Sequence, residues 1–278
     1  MYNLLFCINS RYTEMLKVCL SSVVIHSGFD SMSVSIIYSS LRDSEIAEIK
    51  KLENSRLKIN FIRFDDSVLS SSPTTGRYPK EIYYRLFAPV LLPDDIDRIL
   101  YLDVDLICIN SLVELYNTDI SSVYYAACSH TRKILTKFNA LRLGLDIADE
   151  CPYINTGVLL MNLTRLRKNF DSRKIFDFIE KKGSSFILPD QDIIMGIYGD
   201  RIRLVDTLKY NLSDRILTLN NMTGGRRRLT LRDVAQNTSI IHYCGRSKPW
   251  KKSYNGRLGV FFETAVKECR QWLDAQMD

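Results

Sequence analysis

Asn3-Leu4-Leu5-Phe6-Cys7-Ile8-Asn9 is an unbroken apolar run closed at each end by asparagine, and it leads within four residues into the amphipathic stretch Thr13–Ser27. A run this short and this uniformly apolar predicts a strand buried on both faces, whereas Thr13–Ser27 has helical period. The same alternation repeats outward: Ser33–Ser39 predicts a strand, Asp43–Asn54 a helix capped by Asp43, and Leu57–Ile62 a third strand. These are βαβαβ units, and folds of that kind bind ligands at the carboxyl ends of their strands. Further along, Glu81–Leu91 predicts an apolar, aromatic helix. Arg98–Leu102, Val123–Cys128, Gly157–Asn162, Ile202–Val205 and Ser239–Tyr243 predict strands, and Arg173–Lys182, Asp190–Tyr198 and Gly259–Ala275 helices. The expected class is α/β.

Composition is globular: 46% of the 278 residues are hydrophobic and 25% charged, and the 12 Gly and 7 Pro are too few for a low-complexity chain. No window approaches the apolar length of a membrane span, and the five apolar residues Leu4–Ile8 lack the basic flank and cleavage site of a signal peptide, so a cytoplasmic location is expected. The 7 cysteines form no C-x-x-C pair and mostly lie in apolar runs, which fits reduced, buried thiols. The net charge of +6 is uneven: residues 201–278 hold fifteen basic and seven acidic side chains, a local +8, against −2 for the first 200. An anionic partner is therefore expected to meet the last quarter of the chain.

Within Arg98-Ile-Leu-Tyr-Leu-Asp103-Val104-Asp105-Leu-Ile-Cys-Ile, two carboxylates interrupt an otherwise apolar strand. In extended structure residues two apart point the same way, so Asp103 and Asp105 can share a partner. Two such carboxylates at the edge of a core repel one another and lose hydration, and a hard divalent cation is the economical remedy. The D-x-D pattern alone is weak, since Asp95/Asp97 and Asp190/Asp192 also show it. Of the 3 histidines, His26 and His130 read as structural or solvated. His242 lies in the β-like run Ser239-Ile-Ile-His242-Tyr-Cys-Gly245, where a lone histidine is by pattern more often structural; the adjoining Arg246-Ser-Lys248-Pro249-Trp250-Lys251-Lys252 suits phosphate oxygens. A nitrogen ligand beside two carboxylates favours manganese over calcium.

Other polar clusters have structural explanations as well. Asn155-Thr156-Gly157 can be a turn at the head of a buried strand, Asp190-Gln191-Asp192 can serve the dipole of the helix that starts at Pro189, and Arg85 can pair with Glu81 one turn earlier. The Ser/Thr/Pro/Gly cluster Ser70–Gly76 within the polar stretch Asp65–Lys80 reads either as a linker or as a lid.

In this order, Tyr83-Tyr84-Arg85-Leu86, Tyr101-Leu-Asp103-Val-Asp105, Asn155-Thr-Gly157, Pro189-Asp190-Gln191-Asp192 and His242-Tyr-Cys-Gly245-Arg-Ser-Lys248-Pro249-Trp250 resemble glycosyltransferase family eight, over roughly residues 3–262. The resemblance implies a GT-A fold, a Rossmann-like, mostly parallel mixed sheet flanked by helices, binding a UDP-hexose with manganese or another divalent cation. It implies Asp103, Asp105 and His242 as metal ligands; Lys248 and the Gly245 turn at the phosphates; Arg85, Asp103, Asn155, Asp190 and Gln191 around the donor sugar, with Val104, Thr156 and Gly157 lining the same pocket; and Tyr12 against the uracil. Asn9 stands where relatives commonly carry an acidic residue that reads the uracil imide, and its carbonyl can accept the same bond. Arg85, Asp190 and Gln191 are the expected catalytic residues, and retaining transfer to a glycan or glycolipid hydroxyl is the expected reaction.

Two other functions compete. A nucleotidyltransferase would need a Gly-rich phosphate loop after the first strand, which the sequence lacks. A non-catalytic glycan-binding protein would have no need of Asp103, Asp105, His242, Lys248 and Gln191 together. The expected organisation is a catalytic domain over 1–250 and a basic, aromatic helical extension over 251–278. Arg226-Arg227-Arg228 and Lys251-Lys252, with Trp250, Tyr254, Phe261 and Phe262, form a candidate surface for an anionic acceptor or the inner membrane face. No nucleic acid is expected as a partner.

Overall fold

The computed structural model describes residues 1–70, 72–74, 79–129, 153–223 and 228–276. Ser71, Gly76, His130, Cys151, Arg226 and Arg227 lie outside the described residues. Strands β1 (Tyr2–Cys7), β2 (Met32–Tyr38), β3 (Leu57–Arg63), β4 (Arg98–Leu102), β6 (Tyr125–Cys128), β7 (Asn155–Asn162) and β8 (Ile202–Leu204) form one sheet in the order β3-β2-β1-β4-β7-β6-β8. The first four are mutually parallel, β7 runs antiparallel to β4 and β6, and β8 is parallel to β6. Two further short strands, β5 (Leu106–Cys108) and β9 (Ile240–His242), pair antiparallel beside it.

The period-two side-chain alternation of a strand divides each central strand between two cores. Leu4 and Phe6 of β1, Leu100 and Leu102 of β4, and Val158 and Leu160 of β7 face a cluster closed by the helix Thr13–His26. Leu5, Ile99, Tyr101, Leu159 and Met161 face the other, which holds Tyr83, Tyr84, Phe87, Ile175 and Ile193. A third cluster joins Ile107 and Ile241 of the small sheet to Val18, Leu212, Phe262, Ala265 and Cys269. The last three belong to the helix Gly259–Asp274, which packs on Thr13–His26. No helix among the described residues is long and apolar enough to cross a membrane.

Several sequence expectations are corrected in detail. The helix after β2 covers Asp43–Lys50, with Arg42 rather than Asp43 at its N-cap: Glu45 Oε2 accepts the Arg42 N–H at 2.8 Å. The expected Glu81–Leu91 helix is broken into Glu81–Tyr84, a 3-10 turn over Arg85–Phe87, and Ala88–Leu91. Pro89 has no N–H to offer the Arg85 carbonyl, so a continuous α-helix cannot run through this point. The helices Leu163–Asn169, Asp214–Met222 and Leu231–Asn237 were not expected from the sequence. The expected basic and aromatic surface loses its aromatic half. Phe262 is buried, Trp250, Tyr254 and Phe261 pack against the third cluster, and the Tyr254 hydroxyl donates to Asp214.

Candidate active site

The strand order reverses direction at β1, with β2 and β3 on one side and β4 on the other, and ligand-binding crevices open at such points, at the carboxyl ends of the strands. Because β7 runs antiparallel to β4, the amino end of β7 lies at the carboxyl end of β4, where Leu102 pairs with Val158. Asn155, Thr156 and Gly157 are thereby brought beside Asp103, whose N–H donates to Gly157 O at 2.8 Å.

Asp103 and Asp105 do not share an extended strand. They lie in the turn that hands the chain from β4 to β5, out of one sheet and into the other. The pairing of β5 with β9 sets Leu106 opposite His242, and the Tyr243 N–H donates to Asp105 O at 2.9 Å. The imidazole is carried in this way to the carboxylates: His242 Nε2 lies 3.0 Å from Asp105 Oδ1 and 3.8 Å from Asp103 Oδ2. One ligand atom from each of Asp103, Asp105 and His242 falls within 4.8 Å of the others.

Each carboxylate is held by cations and donors. Asp103 Oδ1 accepts from Tyr101 Oη at 2.6 Å and faces Arg85 Nη2 at 3.1 Å. Asp105 Oδ2 is bound by Lys248 Nζ, which also donates to Tyr243 O at 2.9 Å and sits over the Trp250 ring. Burial alone would raise the Asp105 pKa, but His242 and Lys248 outweigh it and hold the carboxyl below the ordinary carboxylate range.

Arg85 does not pair with Glu81. It is 5% exposed and stacks over Tyr101 at 4.1 Å, with Nη1 donating to Thr156 O at 2.9 Å and lying 3.4 Å from Asp190 Oδ2. The 3-10 turn over Arg85–Phe87 presents this side chain to the amino end of β7. Burial opposes its charge, yet Asp103, Tyr101 and Asp190 together push its pKa above the usual guanidinium value. Asp190 differs from Asp105: burial dominates and raises its pKa, although Arg85 and the Thr156 hydroxyl partly offset this.

Gln191 comes next on the helix Pro189–Tyr198 and accepts from Asn155 Nδ2 at 3.3 Å. Its neighbour Asp192 is structural. Fully buried, it accepts the Ile187 N–H at 2.9 Å and the Tyr153 hydroxyl at 2.6 Å, which closes the start of that helix.

Asn9 Oδ1 caps the 3-10 turn Ser10–Tyr12 by accepting the Arg11 N–H at 3.0 Å, and Tyr12 ends that turn half-buried. Asn9 and Arg11, with Ser39, Asp66, Lys80 and Glu81, line a cleft of about 630 Å³. Asp66, held by the Tyr84 hydroxyl at 2.7 Å, is a polar group of this cleft that carries no sequence signal. Within the polar stretch Asp65–Lys80, Leu69 is fully buried and Pro73 O accepts the Tyr83 hydroxyl at 2.6 Å. Gly245 has φ +116, a backbone region closed to most side chains, which turns the chain between His242 and Lys248. His26 is structural, with Nε2 2.9 Å from Glu268 Oε2 on the C-terminal helix.

Asn211 was missed altogether. Fully buried, it lies between Asn155 and His242, with Nδ2 2.9 Å from Asn155 Oδ1 and Oδ1 2.8 Å from His242 Nδ1.

Comparison with known proteins agrees with this architecture. The chain is 25% identical over 252 residues to the lipopolysaccharide 1,2-glucosyltransferase of Escherichia coli K12, spanning 90% of this chain and 73% of that protein. It is also 25% identical over 212 residues to general stress protein A of Bacillus subtilis, covering 73% and 72% of the two chains. The crystal structure of the galactosyltransferase LgtC in complex with donor and acceptor sugar analogs superposes with a TM-score of 0.79 over 95% of both chains at 22% identity, a likeness that establishes the GT-A fold. An active-site mutant of LgtC gives a TM-score of 0.82 at 21% identity over the same shares. The model of glycosyl transferase family 8 matches residues 3–253, and the chain belongs to that family of glycosyltransferases.

Proposed function

We propose that this glycosyltransferase moves a glucosyl or galactosyl unit from a UDP-hexose to a hydroxyl of a glycan or glycolipid, with retention of anomeric configuration and with Mn2+ at Asp103, Asp105 and His242. The observation that carries the proposal is the convergence of these three side chains, two from the turn between the sheets and one from β9, with a ligand atom of each within 4.8 Å of the others. The donor set fits such an ion: two hard carboxylates with one imidazole suit manganese better than calcium. So does the surrounding space, because a Cβ on Gly157 would lie 2.8 Å from Asp103 Oδ2 and 2.3 Å from His242 Cε1, so only glycine leaves room at this edge of the site. When bound there, the ion supplies positive charge against the diphosphate of the leaving UDP.

The remaining work falls to the chain itself. Lys248 and the Gly245 turn offer a further cation and backbone to the phosphates. Arg85, fixed by Asp103, Asp190 and the Thr156 carbonyl, holds its guanidinium rigidly at the sugar subsite, where Asp190, Asn155 and Gln191 orient the hexose. The anomeric carbon becomes cationic as the bond to phosphate breaks, and an amide oxygen such as that of Gln191 steadies it. A carboxamide is a poor nucleophile, so the proposed route is front-side attack, in which the departing phosphate accepts the acceptor proton. Related glycosyltransferases whose names specify lipopolysaccharide support a cell-envelope acceptor. The exposed Lys251 and Lys252 next to the site are proposed to meet its anionic groups or those of the membrane that carries it.

The test is thermal denaturation with UDP-glucose and UDP-galactose, in Mn2+ and in EDTA, and then NMR of the anomeric centre in the product. A rise in midpoint that requires Mn2+, and an α-configured product from an α-configured donor, are expected. No metal-dependent rise with any nucleotide-sugar would remove the proposal.

A further inference from the structure

We infer that Asn211 is a positioning residue that fixes the tautomer of His242 and so aims its Nε2 at Asp103 and Asp105. The inference rests on the metal reading above, but it comes from donor and acceptor accounting at the site. It starts from a group whose role is unambiguous, the backbone N–H of Gly157, which can only donate. That N–H lies 3.1 Å from one end of the Asn155 carboxamide, which must therefore be the oxygen. The end of Asn211 that meets the same oxygen at 2.9 Å must be its NH2. The other end of Asn211, its oxygen, then faces His242 Nδ1 at 2.8 Å, and an amide oxygen only accepts. Nδ1 therefore carries a proton whatever the charge of the ring, which leaves Nε2, the nitrogen 3.0 Å from Asp105 Oδ1, as the position taken either by a second proton or by a metal ion.

This is the arrangement in which a histidine that ligates a metal donates its second N–H to a carbonyl-type oxygen, which fixes ring orientation and raises ligand basicity. The backbone around Asn211 serves the same end. Leu212 N donates to Ile240 O at 3.1 Å and His242 N donates to Leu212 O at 2.8 Å, so the segment that carries Asn211 is clamped along β9. Asn211 and His242 are 0% and 2% exposed, so bulk water does not compete for the bond between them. The chain of amides also continues past Asn155, whose Nδ2 donates to Gln191 Oε1 at 3.3 Å. One polar thread thus links the metal ligand to the residue proposed beside the anomeric carbon.

Two measurements decide it. In metal-free, 15N-labelled protein, the imidazole of His242, identified among 3 histidines by its loss in His242→Gln, is expected to show a directly bonded proton on Nδ1. A bare Nδ1 would overturn the assignment whether or not the protein binds metal. Second, free Mn2+ is tracked by electron paramagnetic resonance, with Mn2+ alone and with UDP added, for folded variants checked by thermal denaturation in EDTA. Asn211→Leu, close in volume but without an acceptor, is expected to weaken Mn2+ binding roughly 10- to 100-fold. Asn211→Asp, which keeps an oxygen for the Nδ1–H, is expected to stay within a few-fold of the parent. Equal losses in both variants, or none in Asn211→Leu, would overturn the role of Asn211. A parent protein that binds no Mn2+ would instead remove the metal reading, and the Nδ1 proton would still be decided by the first measurement.

Discussion

No side chain fits between Gly157 and His242: a Cβ built on Gly157 would stand 2.3 Å from Cε1 of the imidazole and 3.0 Å from its Nδ1. The backbone of β7 is part of the wall of the site, and the histidine ring lies close against it. Gly157→Ala is therefore expected to push His242 away from Asp105 rather than to loosen the sheet. Overpacking of this kind costs about 1–3 kcal/mol of stability. The larger loss is expected in function, with Mn2+ affinity falling at least ~10-fold as a ligand shifts. Denaturant titration in EDTA alongside Mn2+ binding separates the two, and unchanged metal affinity would mean that the wall of β7 does not set the position of the ring.

Asp105 carries the clearest acid dependence. His242 and Lys248 hold its carboxyl below the ordinary value of 3.8. A depressed carboxylate contributes stability that is fully present above the unfolded pKa and is lost as pH falls through the folded one. In a metal-free pH series, the parent should therefore exceed Asp105→Asn in melting temperature above about pH 4, with the gap closing below it. Transfer should be abolished in Asp105→Ala while the fold persists, and retained activity would take Asp105 out of the proposed metal site.

Asp190 should behave with the opposite sign. Burial raises its pKa, so ionising it in the folded protein is unfavourable, and that penalty is present at neutral pH and vanishes as pH falls to the unfolded value of 3.8. Asp190→Asn keeps an oxygen to accept the Thr156 hydroxyl and removes the buried charge. It is expected to melt higher than the parent at pH 7, to lose that advantage near pH 4, and to transfer sugar at least ~100-fold more slowly. A lower melting temperature at pH 7 would mean that the pairing with Arg85 is worth more than burial costs.

The two aspartates show what the sequence could and could not disclose. Carboxylates interrupting the apolar run Arg98–Ile109 are conspicuous in one dimension, as is a strand such as Leu4–Ile8 with no polar residue, so the β1 to β4 frame and the Asp103/Asp105 pair were legible. The turn between β4 and β5 was not, because apolar residues flank it on both sides and only the switch between sheets marks it. Asn211 gives no one-dimensional signal: it is a single asparagine in Tyr210-Asn211-Leu212-Ser213, and the side chains of Asn155 and His242 that its carboxamide meets are more than thirty residues away. The partners of Arg85 escape for the same reason, whereas Glu81 sits within reach by helical spacing and stays unused.

Arg85 tests geometry against charge. Its fork reaches Asp103, Asp190 and the Thr156 carbonyl at once, over the face of Tyr101. Lysine keeps the charge but is a point donor that cannot span those groups. Arg85→Ala, which leaves the buried Asp190 and the partly buried Asp103 without its guanidinium, is expected to cost about 3–5 kcal/mol in urea titrations. Arg85→Lys should recover much of that stability and yet remain ~100-fold down in kcat/KM for UDP-hexose. If lysine matches arginine in both measurements, the fork does no positioning.

The C-terminal helix offers a test of how the basic end of the chain is used. Phe262, Ala265 and Cys269 are buried against Val18, Ile107 and Leu212, and Glu268 reaches His26. Leu258 and Tyr254 are tied to Asp214, the first residue of the helix Asp214–Met222. An aromatic and basic tail resembles a membrane-facing surface in sequence because the partners of its aromatic rings lie far away along the chain. Truncation after Leu258 should therefore act as a core deletion. Removing even the Phe262 side chain costs about 3–5 kcal/mol at a buried site, and loss of the whole helix should unfold the protein or lower its melting temperature by more than about 10 °C, on the order expected for several kcal/mol. By contrast, Lys251→Glu with Lys252→Glu, both exposed, should leave the melting temperature within about a degree while weakening any salt-sensitive pelleting with anionic liposomes. Pelleting that survives both charge reversals would place the anionic contact elsewhere on the molecule.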